Sequence, residues 1–217
     1  MRLRHVLTGM FTICAAAAIS TMAPRAQGLD LPVPDFKPQE RTWQENKAIN
    51  DAKYNKPIYN PETKSYFENY DLYRDPNNPY GVYFAFEWPL AKQWAESRVF
   101  HGVRGRLAVI KSREVQEFIA KKLQPDDGAW FGLSFRCDSR SLWWVTGENW
   151  PLSAYQNWNR PWNVEGTTWK NANHAQCPPN EVAGVHYWGA ATGYKWNVNG
   201  PHKGFHYLII EYTTGKP

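Results

Sequence analysis

Between Tyr155 and Asn197 the chain interleaves aromatic rings with amides, a guanidinium and carboxylates. The run is Tyr155, Asn157, Trp158, Asn159, Arg160, Trp162, Asn163, Glu165 and Trp169, followed by Asn180, Glu181, Trp188, Tyr194 and Asn197. Indole and phenol rings offer large flat apolar area with a polar edge. They stack on sugar faces while Asn, Arg and Glu bond hydroxyls. The same side chains also build protein interfaces, where Tyr, Trp and Arg are enriched. Both chemistries are recognition. Catalysis finds no matching constellation. His174, His186, His202 and His206 are scattered, without a His-Glu-x-x-His pair. No Gly-x-Ser-x-Gly nucleophile turn is present. Asp126 and Asp127 are adjacent in a chain break rather than placed across a substrate. We expect no enzyme, no catalytic residue and no cofactor.

Composition narrows the partners. The first residues carry Arg2, Arg4 and His5, then an apolar, alanine-rich stretch from Val6 to Met22, then a small-residue exit around Ala26-Gln27-Gly28. This is the pattern of a cleaved export signal, expected over residues 1–26, and its style is bacterial. The alternative is an uncleaved anchor. Removing it takes away Arg2, Arg4 and Arg25 and no acid, so the formal charge of +5 falls toward neutrality. A near-neutral domain without Lys/Arg runs excludes nucleic acid as the expected partner. Mean hydropathy is −0.65, and no stable membrane span is expected after processing. A periplasmic or secreted protein in an oxidising compartment uses paired cysteines as disulfides. Cys14 leaves with the signal, and Cys137 and Cys177 remain as the expected bridge, the alternative being two reduced thiols.

The elements that position the aromatic run are legible from pattern. Pro32, Pro34, Pro38, Pro57 and Pro61 punctuate residues 27–65, expected as a proline-rich arm with one candidate helix from Gln39 to Tyr54. The domain is expected from Tyr66 to the end, residues 66–217. Val82 to Phe86 has strand composition. Pro89 suits the first turn of a helix running to about Phe100, with Ala91, Ala95 and Val99 on one face. Leu107 to Ile110 is a short apolar strand. Ser112 caps a second helix, with Glu114 in its first turn and Val115, Phe118 and Ile119 facing inward. Strands are then expected at Ala129 to Phe135, Ser141 to Thr146, Glu181 to Tyr187, Tyr194 to Val198 and Tyr207 to Tyr212. A long Asn-, Pro- and Trp-rich segment separates the second from the third; long irregular segments in compact domains are usually functional or disordered, and its tryptophans argue for order.

This α+β order, with its motifs, resembles the C-type lectin-like domain family. The carriers are Trp88, Ala91 and Ala95 on the first helix, Gly105 to Ile110, Trp130-Phe131-Gly132-Leu133, Trp196-Asn197-Val198 and Ile209-Ile210-Glu211. The resemblance covers residues 66–217 and implies two helices packed on antiparallel strands with a long irregular loop. Ala95 and Ile210 stand where a family disulfide would be and are expected to fill its space by packing. Val182 and the neighbourhood of Pro201 take the second family disulfide, so a Cys137–Cys177 bridge is local to this chain. Calcium needs several oxygen ligands. The family's Glu-Pro-Asn triplet matches Arg160-Pro161-Trp162, or in another alignment Pro178-Pro179-Asn180, and its Trp-Asn-Asp matches Trp196-Asn197-Val198. The usual metal site is therefore not expected.

The resemblance also implies that Trp130, Trp144 and Trp196 are core, that Trp158 packs the loop, and that Pro161 is cis. The ligand-binding residues expected are Arg160, Trp162, Asn163, Glu165, Asn180, Glu181 and Asn197. The partner expected is a glycan, bound without calcium, or alternatively a surface protein.

Overall fold

The computed structural model describes residues 39–40, 54–75, 78, 85–151, 153–159 and 177–217. The expected export signal and most of the proline-rich arm lie outside the described residues. The strands are β1 (Gln39–Glu40), β2 (Ile58–Asn60), β3 (Ser65–Asp71), β4 (Arg98–Phe100), β5 (Val103–Arg104), β6 (Arg106–Leu107), β7 (Ala129–Arg136), β8 (Ser141–Trp144), β9 (Val182–Tyr187), β10 (Trp196–Val198) and β11 (Tyr207–Tyr212). The helices are α1 (Trp88–Ser97) and α2 (Arg113–Phe118), the latter extended by one π turn at Ile119–Leu123.

The main sheet has the order β10-β9-β7-β11-β3-β2, with β6 on β11 and β8 on β7. Its pairings are antiparallel except β11 with β7, which run parallel at Leu208 and Trp130. A smaller sheet joins β1, β4 and β5. The architecture is α+β, as expected.

β11 divides the core because strand side chains alternate. Leu208 and Ile210 pack with Trp88, Ala91, Trp94 and Ala95 of α1. Ile209 packs with Val115 and Ile119 beside Phe131, Leu133, Val185, Tyr187 and Trp196. Leu208, Ile209 and Ile210, each fully buried, contribute about 1.5–3 kcal/mol apiece. Ala95 and Ile210 are both fully buried. They flank Gly105, where an added Cβ would lie 2.6 Å from the Ala95 carbonyl and 2.8 Å from Ile210 Cγ2. Trp130, Trp144 and Trp196 are core. Gly132 lets β7 approach the chain after β6, since a Cβ there would meet the carbonyls of Leu107 and Ala108 at 2.7 and 2.8 Å.

Ser112 caps α2: its Oγ accepts from the Val115 N–H at 3.2 Å. The Cys137–Cys177 disulfide is present and both residues are buried. It ties the end of β7 to the segment entering β9.

Several boundaries differ from expectation, and the short strand expected at Leu107 to Ile110 is Arg106–Leu107. The first helix ends at Ser97, and Val99 is a strand residue rather than part of the apolar helical face. Its neighbour Arg98 is buried, with Nη1 3.2 Å from Asp75 Oδ2, and the turn at His101 and Gly102 (φ 50° and 74°) folds β4 back onto β5. Gln39 and Glu40 pair with β4 as a strand, so the candidate helix does not begin at Gln39; residues 41–53 lie outside the described set. Ile58 to Asn60, expected in the arm, pair with Ser65 to Phe67. The sheet therefore begins before Tyr66. Of the Val82–Phe86 strand only Ala85 and Phe86 are described, and Phe86 makes a single bridge to Phe205.

Candidate functional site

Four of the expected ligand-binding residues, Arg160, Trp162, Asn163 and Glu165, lie outside the described residues, as do Pro161 and Trp169. Asn180, Glu181 and Asn197 are described, and they are not brought together. Asn197 pairs with His186 in the β9–β10 ladder. Glu181 precedes β9, five residues from His186, about 17 Å along an extended strand.

At that lower end the His202 ring lies between two carboxylates. Its Nε2 is 3.2 Å from Glu181 Oε1, and its Nδ1 is 3.5 Å from Glu87 Oε1. Asn180 is exposed in the turn before β9. Among the described residues no group of three His, Cys, Asp or Glu side chains is placed to hold a metal ion.

At the upper end the outer face of the β9–β10 hairpin forms a defined polar cluster. Alternation sends Tyr187, Trp196 and Val198 into the core and leaves His186, Trp188, Asn197 and Asn199 on the other side. His186 is fully buried beneath them, packed edge-on to Trp130 at 5.7 Å and against Phe205 at 4.7 Å. Its Nδ1 lies 3.0 Å from the Tyr187 carbonyl, which only accepts, so Nδ1 carries the proton. The Nε2 lone pair then accepts from the Nδ2 groups of Asn199 at 3.2 Å and, more weakly, Asn197 at 3.5 Å. Two half-buried amides are thus oriented by one imidazole, next to the half-buried Trp188, whose ring meets His186 edge-on at 5.1 Å.

The imidazole works in its neutral form. Burial lowers the His186 pKa from its ordinary 6.5 to about 4, against a smaller upward effect from the Tyr187 carbonyl. Between those values the unfolded chain takes up a proton that the folded chain refuses. The contribution of neutral His186 is therefore complete above about pH 6.5 and is lost as pH falls toward 4, by about 3 kcal/mol. Urea unfolding at pH 7.5, 5.5 and 4 is expected to show this fall in the natural protein and a shallower one in His186→Gln. Equal pH slopes in the two proteins would contradict the burial of a neutral ring.

Several residues of the aromatic run have structural work. Asn157 donates from Nδ2 to the Tyr194 carbonyl at 2.9 Å and accepts from Lys195 Nζ at 2.7 Å, so it clips the loop to the hairpin. Trp158 lies edge-on to Trp196 and Trp150 at 5.5 and 6.1 Å, in keeping with its expected packing role. Trp150 is buried and donates to the Tyr155 carbonyl at 3.3 Å. Asp127 accepts from the Gly189 N–H, Asp126 from the Tyr54 hydroxyl, and Glu148 pairs with Lys111.

Sequence reasoning missed His186 and Asn199 as parts of the candidate site. Strand alternation places Asn199 beside Asn197, but the pairing that puts His186 beneath both is a matter of register.

No protein-family model matches the sequence, and neither does any curated protein. Among solved structures, human lithostathine is similar at 14% identity, covering 80% of this chain and 96% of that one with a TM-score of 0.46. The C-type lectin CEL-I from Cucumaria echinata is similar at 15% identity, over 75% and 98%, with a TM-score of 0.44. The carbohydrate-recognition domain of the mouse scavenger receptor C-type lectin is similar at 21% identity, over 68% and 88%, with a TM-score of 0.42. In this chain's own architecture, α1 and α2 precede the β7–β9–β10 hairpins, and the closing strand β11 lies beside β3. With the sequence motifs seated on those elements, the fold is C-type lectin-like.

Proposed function

We propose that this chain is an exported, non-enzymatic recognition module that binds carbohydrate without calcium. Its contacts are the outer face of the β9–β10 hairpin and the aromatic loop that precedes β9. The observation that carries the reading is the pair of amides, Asn197 and Asn199, held by the neutral imidazole of His186 beside Trp188. Their carbonyl oxygens make no hydrogen bond to a described residue and are available to hydroxyl groups, and the indole is available to a ring face. Val198 occupies the position where the resemblance implies a carboxylate ligand, and it is only 5% exposed in the core. The disulfide accords with export to the periplasm or beyond.

The double variant Asn197→Ala/Asn199→Ala is expected to lose retention on immobilised glycans at least about tenfold while still folding, with an unfolding midpoint lowered by the orphaned His186 Nε2. Trp162→Ala with Arg160→Ala is expected to do the same for the loop. Full retention by a folded Asn197→Ala/Asn199→Ala protein would remove the hairpin face from the site.

A second reading, a protein-binding module, has its own support. The guanidinium carbon of exposed Arg136 lies 4.2 Å from the ring centroid of Trp143 on β8, and Arg and Trp dominate interface hot spots. One stoichiometric partner, captured through Trp143 and indifferent to free sugars, would favour that reading.

A further inference from the structure

The tip of the β9–β10 hairpin forms one wall of an open groove of about 480 Å³. This falls in the size range of small-molecule sites, roughly 300–1,000 Å³. Two carboxylates, Asp126 and Asp127, and two phenol rings, Tyr194 and Tyr207, line it, with Ala190 and Ala191 on the hairpin side; among the described residues no Lys, Arg or His lines it.

The walls are held in place. The Asp127 carboxylate accepts from the Gly189 N–H, and a Cβ at Gly189 would sit 2.6 Å from Asp127 Oδ1, so a side chain there would displace the carboxylate. Tyr207 stacks on Tyr54, whose hydroxyl donates to Asp126. Tyr194 stands in the left-handed region (φ 57°), where an aromatic residue is disfavoured. Its carbonyl is fixed there by Gln116 Nε2 at 3.2 Å and Asn157 Nδ2 at 2.9 Å.

A groove lined by carboxylates and phenols, with no cation among the described residues of its lining, disfavours anions and favours a positive group near the rings. Its open volume of about 480 Å³ accommodates a ring the size of a pyranose. We infer that this groove binds an amino sugar, with the ring on Tyr194 and Tyr207 and the protonated amine on Asp127. The inference rests on the carbohydrate reading above and names a ligand for a groove beside the hairpin face.

The test is calorimetric titration of the full chain at pH 6 with glucosamine, glucose, N-acetylglucosamine and lysine methyl ester. Two variants accompany it. Asp127→Asn keeps an oxygen for the Gly189 N–H and removes the charge. Ala191→Arg, at an exposed position, places a cation and bulk in the groove. The expected result is glucosamine binding that falls about tenfold in both variants. It should persist in Asn197→Ala/Asn199→Ala, with glucose and N-acetylglucosamine much weaker.

Equal binding of glucose, or binding untouched by Asp127→Asn and Ala191→Arg, would overturn the assignment. Lysine methyl ester binding as well as glucosamine would overturn the sugar in favour of a polypeptide ammonium. Absence of glucosamine binding, with glycan retention by the hairpin face intact, would overturn the groove and leave the proposed function standing. Loss of both would remove the two together.

Discussion

Replacing Cys137 and Cys177 together by alanine is expected to lower the free energy of unfolding by about 4 kcal/mol. The bridge joins residues 40 apart, and a loop of that length restricts the denatured chain strongly. Both residues are buried, at 2% and 0% exposure, within the cluster that holds Phe135, Trp150 and Ala183. The variant therefore also loses packing at the base of the loop that carries the aromatic run. Urea unfolding in the absence of reductant measures the first effect, and glycan retention of the folded fraction the second. An unchanged midpoint would show that other contacts already confine this segment, and that the bridge does not anchor the loop.

Gln116→Met is expected to destabilise the protein by about 3–4 kcal/mol. Gln116 is 5% exposed, and its Oε1 accepts from both the Tyr187 hydroxyl and Trp196 Nε1, each at 2.9 Å. Its Nε2 reaches the Tyr194 carbonyl at 3.2 Å. Methionine conserves the volume but leaves two buried donors without an acceptor, each costing about 1–3 kcal/mol. The Tyr194 carbonyl keeps Asn157. Adding Tyr187→Phe removes one orphan donor and is expected to return about 1 kcal/mol, so the two changes combine non-additively. Strict additivity would mean that the three polar groups do not act as a unit.

The parts of the fold legible in the sequence were those set by local pattern. The apolar run from Tyr207 to Tyr212 is a strand with those ends, because alternation onto two cores needs only its own residues. Ser112 announces α2, because a cap is a local hydrogen bond. The cysteine pair needed only parity and compartment.

Features set by distant partners were not legible. The helical spacing of Val99 is overridden by Arg98, whose ion partner Asp75 lies on a separate segment. Pro57 and Pro61 made residues 58–60 look like linker, yet proline is tolerated beside an edge strand, and β2 is the edge of its sheet. In the candidate site, Asn197 was legible from the Trp-Asn motif. Its orientation by His186 depends on the pairing of β10 with β9. Asn157 looked like a sugar reader and is a clip, because its partners Tyr194 and Lys195 arrive from across the loop.

The most direct test of calcium-free carbohydrate recognition is a glycan array probed with the purified protein, once with calcium and once with EDTA. The account predicts the same glycans bound at the same strength in both, with binding lost in Asn197→Ala/Asn199→Ala. Binding that disappears in EDTA would contradict it, and so would an array that is blank in both conditions.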